Sequence, residues 1–153
     1  MKTNFENVSE IQIRYKPKFK VSKRPQIKIS EDAYNLFKSF IINKNDDMEL
    51  RENFLCMFLN RTNKVLGINH ISMGSVSGTV CDPKLIFSSA LKTMACNIII
   101  AHNHPSGNIN PSELDITLTH KLKECGKLLD LPIVDHLILT ENGYYSFADE
   151  GLL

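Results

Sequence analysis

Residues 53–59 read Asn-Phe-Leu-Cys-Met-Phe-Leu, six apolar side chains in succession. No polar residue alternates with them, so a strand built from this run has two apolar faces, and both need cover. The run stops at Asn60-Arg61-Thr62-Asn63-Lys64, a turn composition. Asn97-Ile98-Ile99-Ile100-Ala101 makes the same demand with β-branched residues. A sheet that is apolar on both faces selects an architecture with helices on both sides.

The rest of the chain supplies those helices. Ser30 is expected to cap a helix over residues 31–43, with Ala33, Phe37, Phe40 and Ile41 on one stripe and Leu36 beside it. Asp82-Pro83 opens a second helix, reaching about residue 95, with Ile86, Ala90 and Met94 at i+4 spacing. A third is expected over 112–129, with Leu114, Leu118, Leu122, Cys125 and Leu129 on one face. Residues 65–73 read as the hairpin partner of 53–59. Residues 131–140 and 144–147 read as two further strands around a turn at 141–143. Gly74, Ser75, Ser77 and Gly78 mark a loop. The order helix, hairpin, helix, strand, helix, hairpin is α/β, a mixed β-sheet flanked by helices in a three-layer-like arrangement.

At 153 residues, 42% hydrophobic and 23% charged, the chain is ordinary globular material for one domain. That excludes a disordered chain, a collagen-like fibre and a coiled coil. Residues 1–20 hold no signal-peptide core, and no apolar stretch nears the ~20 residues of a spanning helix. A soluble, cytoplasmic protein with no membrane contact is therefore expected. Cys56, Cys81, Cys96 and Cys125 form no C-x-x-C pair and read as reduced thiols, which argues against a zinc ribbon or a disulfide scaffold. Net charge is +1, yet residues 1–28 carry eight Lys/Arg against two Glu. We divide the chain there, into a basic N-terminal arm or edge segment (1–28) and a main domain (29–153). Within the arm, residues 14–28 could touch phosphate or an acidic partner. An edge strand or loose tail with solvated lysines explains them more simply, since Lys and Pro protect sheet edges. Oligomeric state is not legible.

Residues 102–115 carry the chemistry: His-Asn-His-Pro-Ser-Gly-Asn-Ile-Asn-Pro-Ser-Glu-Leu-Asp. If the strand 97–101 stays extended, His102 and His104 face the same side. Pro105 favours that extension at His104. Asp115 falls in the first turn of the next helix, aimed at the carboxyl end of the strand, where open α/β sheets bind ligands. Two imidazoles and a carboxylate suit one Zn²⁺ with a fourth position left for water. The bland alternative is equally open on residues alone: Ser112-x-x-Asp115 is also a helix capping box, and an H-x-H pair is a weak signal. His136, beside Asp135 in an apolar strand, reads best as a core histidine held by a carboxylate or a backbone group; the alternative is that Asp135 or His136 supports a metal ligand from behind. His120 points away from Asp115, and His70 has no visible partner.

H-x-H, seven residues, then Ser-x-x-Asp resembles the metal motif of the JAMM/MPN+ metalloproteases, at His102, His104, Ser112 and Asp115. The longer string from His102 to Asp115 resembles the RadC branch of that superfamily. So do Arg51 to Arg61, Gly74 to Val80, Ala90-Leu91, Leu131 to Ile138 and Tyr145-Ser146-Phe147. The resemblance covers about residues 28–153 and implies the MPN, cytidine-deaminase-like fold. It implies that His102, His104 and Asp115 ligate zinc, that Ser112 bonds the water or a developing oxyanion, and that Glu52 is the general base. Glu52 is preferred to Glu49 because it directly precedes the apolar run. The implied activity is zinc-dependent hydrolysis of an amide, peptide or isopeptide, in a protein or peptide substrate. The alternative is a DNA repair or recombination accessory protein that binds nucleic acid without hydrolysis. Metal-dependent phosphodiester cleavage fits a lone zinc poorly. RadC proteins commonly carry an N-terminal helix-hairpin-helix segment, and this sequence is expected to lack it.

Overall fold

A computed structural model describes residues 8–12, 14–44, 46–74 and 81–153. After a 3-10 turn at Val21–Lys23, the elements run α1 (Ser30–Asn43), β1 (Asn53–Leu59), β2 (Val65–Met73), α2 (Pro83–Thr93), β3 (Asn97–Asn103), α3 (Glu113–Leu128), β4 (Ile133–Thr140) and β5 (Gly143–Ser146). The strands form one mixed sheet in the order β2-β1-β3-β4-β5. Strand β1 is antiparallel to both β2 and β3, β3 is parallel to β4, and β4 is antiparallel to β5.

Every residue of β1 is buried. Its odd positions Leu55, Met57 and Leu59 pack with Ala33, Phe37 and Ile41 of α1. Its even positions Phe54, Cys56 and Phe58 pack with Ile86 and Ala90 of α2 and Leu122 of α3. The uninterrupted apolar run therefore has its cover on both faces, with α1 on one side and α2 and α3 on the other. Each such side chain stabilises the fold by about 1.5–3 kcal/mol through burial. The β3–α3–β4 crossover returns the chain parallel to β3, which sets the start of α3 beside the end of β3.

Local signals differ from the sequence reading in four places. Ser30 does not cap α1. The helix starts one residue sooner, with Ile29 at the cap, and Asp32 in its first turn reaches back, its carboxylate accepting the Lys28 and Ile29 N–H groups at 2.8 and 3.1 Å. Ser30 is free to bond the Tyr144 hydroxyl and the Asp149 carboxylate. Helix α2 stops two residues early because Met94 turns left-handed, at φ 54°. Strand β3 continues through Asn103, so His102 belongs to the sheet and the loop begins at His104. In α3 the buried positions are Thr119, Leu122 and Gly126, whereas Leu114 is 81% exposed. Two i+4 steps rotate a position by about 80°, which carries Leu114 off the stripe that ends at Leu122.

The described part of the arm lies along the hairpin edge. Ile27 N–H donates to the Asn63 carbonyl and Val65 N–H to the Pro25 carbonyl, both at 2.9 Å. The Tyr15 hydroxyl donates to the Leu66 carbonyl. Backbone groups of β2 thus gain partners, while Lys16, Lys18, Lys20 and Lys23 remain exposed. Most of the loop expected between Gly74 and Gly78 lies outside the described residues. Among the described residues no helix is long and apolar enough to cross a membrane.

Candidate metal centre

The site forms where β3 runs out between β1 and β4. His102 pairs with Phe54 of β1 and Ile138 of β4 and is buried. One residue beyond the strand, His104 N–H still bonds the Leu139 carbonyl at 3.0 Å, so the chain stays extended and both imidazoles face one way. The chain then turns at Gly107, whose φ of +79° suits glycine. It enters α3 through a capping box. Ser112 Oγ accepts the Asp115 N–H at 3.2 Å, and Asp115 Oδ2 accepts the Ser112 N–H and hydroxyl, each at 2.7 Å. That fixes the Asp115 carboxylate over the end of β3.

Three donor atoms converge. The Nε2 atoms of His102 and His104 are 2.9 Å apart. Asp115 Oδ1 is 3.1 Å from His102 Nε2, and Oδ2 is 3.4 Å from His104 Nε2. Ligands about 2.0–2.1 Å from one tetrahedral Zn²⁺ stand about 3.3 Å from each other. The observed separations bracket that value, so this group could hold one metal ion with little movement. His104 Nδ1 lies 2.7 Å from the Asn108 carbonyl, an acceptor only, so Nδ1 carries the proton and Nε2 offers its lone pair inward. Burial opposes ionisation of Asp115, but the adjacent His102 and His104 imidazoles, which donate to it when they carry a proton on that side, outweigh burial and hold the carboxyl well below the usual range. The bond to Asp115 raises the His104 pKa, against the opposing effect of burial.

The two proposed catalytic side chains border the same opening. Glu52, on the residue before β1, lines a groove of about 380 Å³ together with His104, Pro105, Asn108, Pro111 and Ser112. Its charge contributes to the raised pKa of His104. Its backbone carbonyl accepts the Gly74 N–H at 2.9 Å. Ser112 caps α3 and lines this groove at once, so its two readings occupy one position.

Curated proteins and family models now bear on the arrangement. A model described as RadC-like JAB domain matches residues 27–152. The chain belongs to the RadC-like JAB domain family. A relative in Flavobacterium johnsoniae is 42% identical over 86% of this chain and 56% of its own length. One in Porphyromonas gingivalis is 39% identical over 90% of this chain and 59% of its own length. Both are named only UPF0758 protein. The chain therefore spans less than two thirds of these relatives.

Two residues around the site were not read from the sequence. Asn103 sits between the two histidines and points to the opposite face, fully buried. Its Oδ1 accepts the Asn53 N–H at 2.7 Å, and its Nδ2 donates to the carbonyls of Met48 (2.6 Å) and Arg51 (2.9 Å). It thereby ties the strand that carries the two histidines to the segment that carries Glu52. Thr119 lies one turn after Asp115, and its hydroxyl meets His136 Nδ1 at 2.6 Å. His136 is a core histidine, but its partners are not the carboxylate or backbone group anticipated. They are the Thr119 hydroxyl and His102 Nδ1, the latter at 2.8 Å. Asp135 faces away, bonded to Ser146 Oγ and to the N–H groups of His136 and Ala148. His120 is exposed, and His70 Nε2 is buried with no hydrogen-bond partner among the described residues.

Proposed function

We propose that this domain is a zinc-dependent hydrolase of amide bonds, peptide or isopeptide, in a peptide or protein substrate. The observation that carries the reading is the convergence of two imidazole Nε2 atoms and one carboxylate within 4.8 Å of one another, at a groove that Glu52 and Ser112 also line. Two neutral nitrogens and one carboxylate, with an open side, match a catalytic zinc site rather than a structural one. Zinc held there supplies Lewis acidity and brings the ionisation of water to about pH 7.

The remaining work falls to the chain's own groups. Glu52 takes a proton from the attacking water and delivers it to the leaving amine. Ser112 stabilises the developing oxyanion. Its hydroxyl proton rests on Asp115 Oδ2 and turns toward a carbonyl oxygen seated in the groove. His102 and His104 keep one face of the site fixed, so substrate approaches from the groove side.

The test is Glu52→Gln. On an amide substrate that the wild-type chain cleaves, and that chelation protects, the variant keeps zinc and loses about 10²–10⁴-fold in turnover. Wild-type turnover in the variant would remove Glu52 from the mechanism.

A further inference from the structure

We propose that the buried pair Thr119–His136 sets the tautomer of His102 and so keeps its Nε2 lone pair turned toward His104 and Asp115. The inference rests on the reading of those three residues as metal ligands. It goes beyond that reading by giving His136 and Thr119 positioning roles that no ligand motif contains.

The argument is a proton count along one chain of hydrogen bonds. The Asp115 main-chain carbonyl has no proton to give, so the Thr119 hydroxyl, 2.6 Å away, must donate to it. With its single proton committed, Thr119 Oγ1 can only accept from His136 Nδ1, at 2.6 Å. His136 is fully buried, and a neutral imidazole with its proton on Nδ1 has a bare Nε2. That nitrogen accepts from His102 Nδ1 at 2.8 Å. His102 then carries its proton on the buried side and presents Nε2 to the site. The far end of the chain is an acceptor too: Asp115 Oδ1 lies 3.1 Å from His102 Nε2, so three protons face four contacts, and a cation held at Nε2 leaves those three for the run from His102 to the carbonyl. The carbonyl anchor then fixes their direction. It belongs to Asp115, the third ligand residue, so the helix that delivers the carboxylate also orients the first imidazole.

Packing holds the rings in register. Phe147 stacks on His136 with centroids 4.8 Å apart and planes within 13°. Phe54 lies parallel to His102, 6.1 Å away and within 5°. His104 needs no such device, because the Asn108 carbonyl orients it directly. The two imidazoles are therefore aligned by independent means, one through a surface loop and one through the core.

Long-range ¹H–¹⁵N correlation spectra of the full chain loaded with zinc read which ring nitrogen of each histidine carries a proton. The wild-type chain should show His136 protonated on Nδ1 and bare on Nε2. Thr119→Val keeps the shape and removes the acceptor of that proton, so zinc affinity, measured against a competing chelator, should fall about 10–100-fold. Thr119→Ser should restore it. A wild-type His136 protonated on Nε2 overturns the proposal, and so does a folded Thr119→Val variant with unchanged affinity. If the valine variant fails to fold, the wild-type spectrum still decides. A chain that binds no zinc would instead defeat the ligand reading. A lowered affinity in Thr119→Val, with no amide hydrolysis by the wild type, would defeat the hydrolase and leave this inference standing.

Discussion

Asn103→Ala tests how Glu52, the proposed base, is held. The Asn103 side chain is fully buried and makes three hydrogen bonds to the chain that enters β1. Truncation leaves the Asn53 N–H without its acceptor in a buried setting, which costs about 1–3 kcal/mol. It also removes the donor shared by the Met48 and Arg51 carbonyls, at about 1 kcal/mol each. Together these amount to a loss of about 3–5 kcal/mol, readable as a shift of the urea midpoint at unchanged slope. The functional consequence is separable from the stability one. Zinc should still bind, because His102, His104 and Asp115 are held by other contacts. Turnover should fall about 10²-fold, since a displacement near 1 Å of a reacting group is enough for that. A stability loss below 1 kcal/mol, or a folded variant with wild-type turnover, would refute the tie between Asn103 and Glu52.

Two further outcomes follow from the packing. A Cβ added at Gly126 would collide with the Leu131 carbonyl oxygen, where the chain turns back against the end of α3. Gly126→Ala should therefore destabilise by about 2 kcal/mol, or roughly 4–8 °C in Tm, despite the ~1 kcal/mol that alanine adds to a helix; a raised Tm would contradict the contact. Burial pushes the His136 imidazole well below its ordinary 6.5. The unfolded chain then binds a proton that the folded one refuses, so metal-free stability falls as pH drops below about 6.5, by up to about 1.4 kcal/mol per unit. His104, raised by Asp115, acts in the opposite sense but is common to the wild type and His136→Asn. The variant should show the shallower acid loss in denaturation curves taken from pH 7 to 5; equal slopes would place the imidazole in solvent.

What could be read without coordinates was what local rules decide. The apolar run at 53–59 dictated a strand covered twice, and α1, α2 and α3 cover it. Strand alternation put His102 and His104 on one side, and the crossover put Asp115 opposite them. The cap of α1 was less legible: the helix begins at Ser30 itself, so Ile29 holds the cap position and Asp32 reaches back to its N–H. The contacts of the supporting residues were hidden for a different reason. Thr119, His102 and His136 meet across 17 and 34 residues of sequence. Only the parallel pairing of β3 with β4, with α3 packed above it, brings them together. Asn103 looked like a spacer between two histidines, because its partners sit 50 residues or more upstream.

The most direct measurement is elemental analysis of the purified full chain. The wild type should retain about one zinc ion per chain, and the His102→Ala, His104→Ala double variant, folded by circular dichroism, should retain almost none. Equal metal in the two proteins would show that these imidazoles do not form the site.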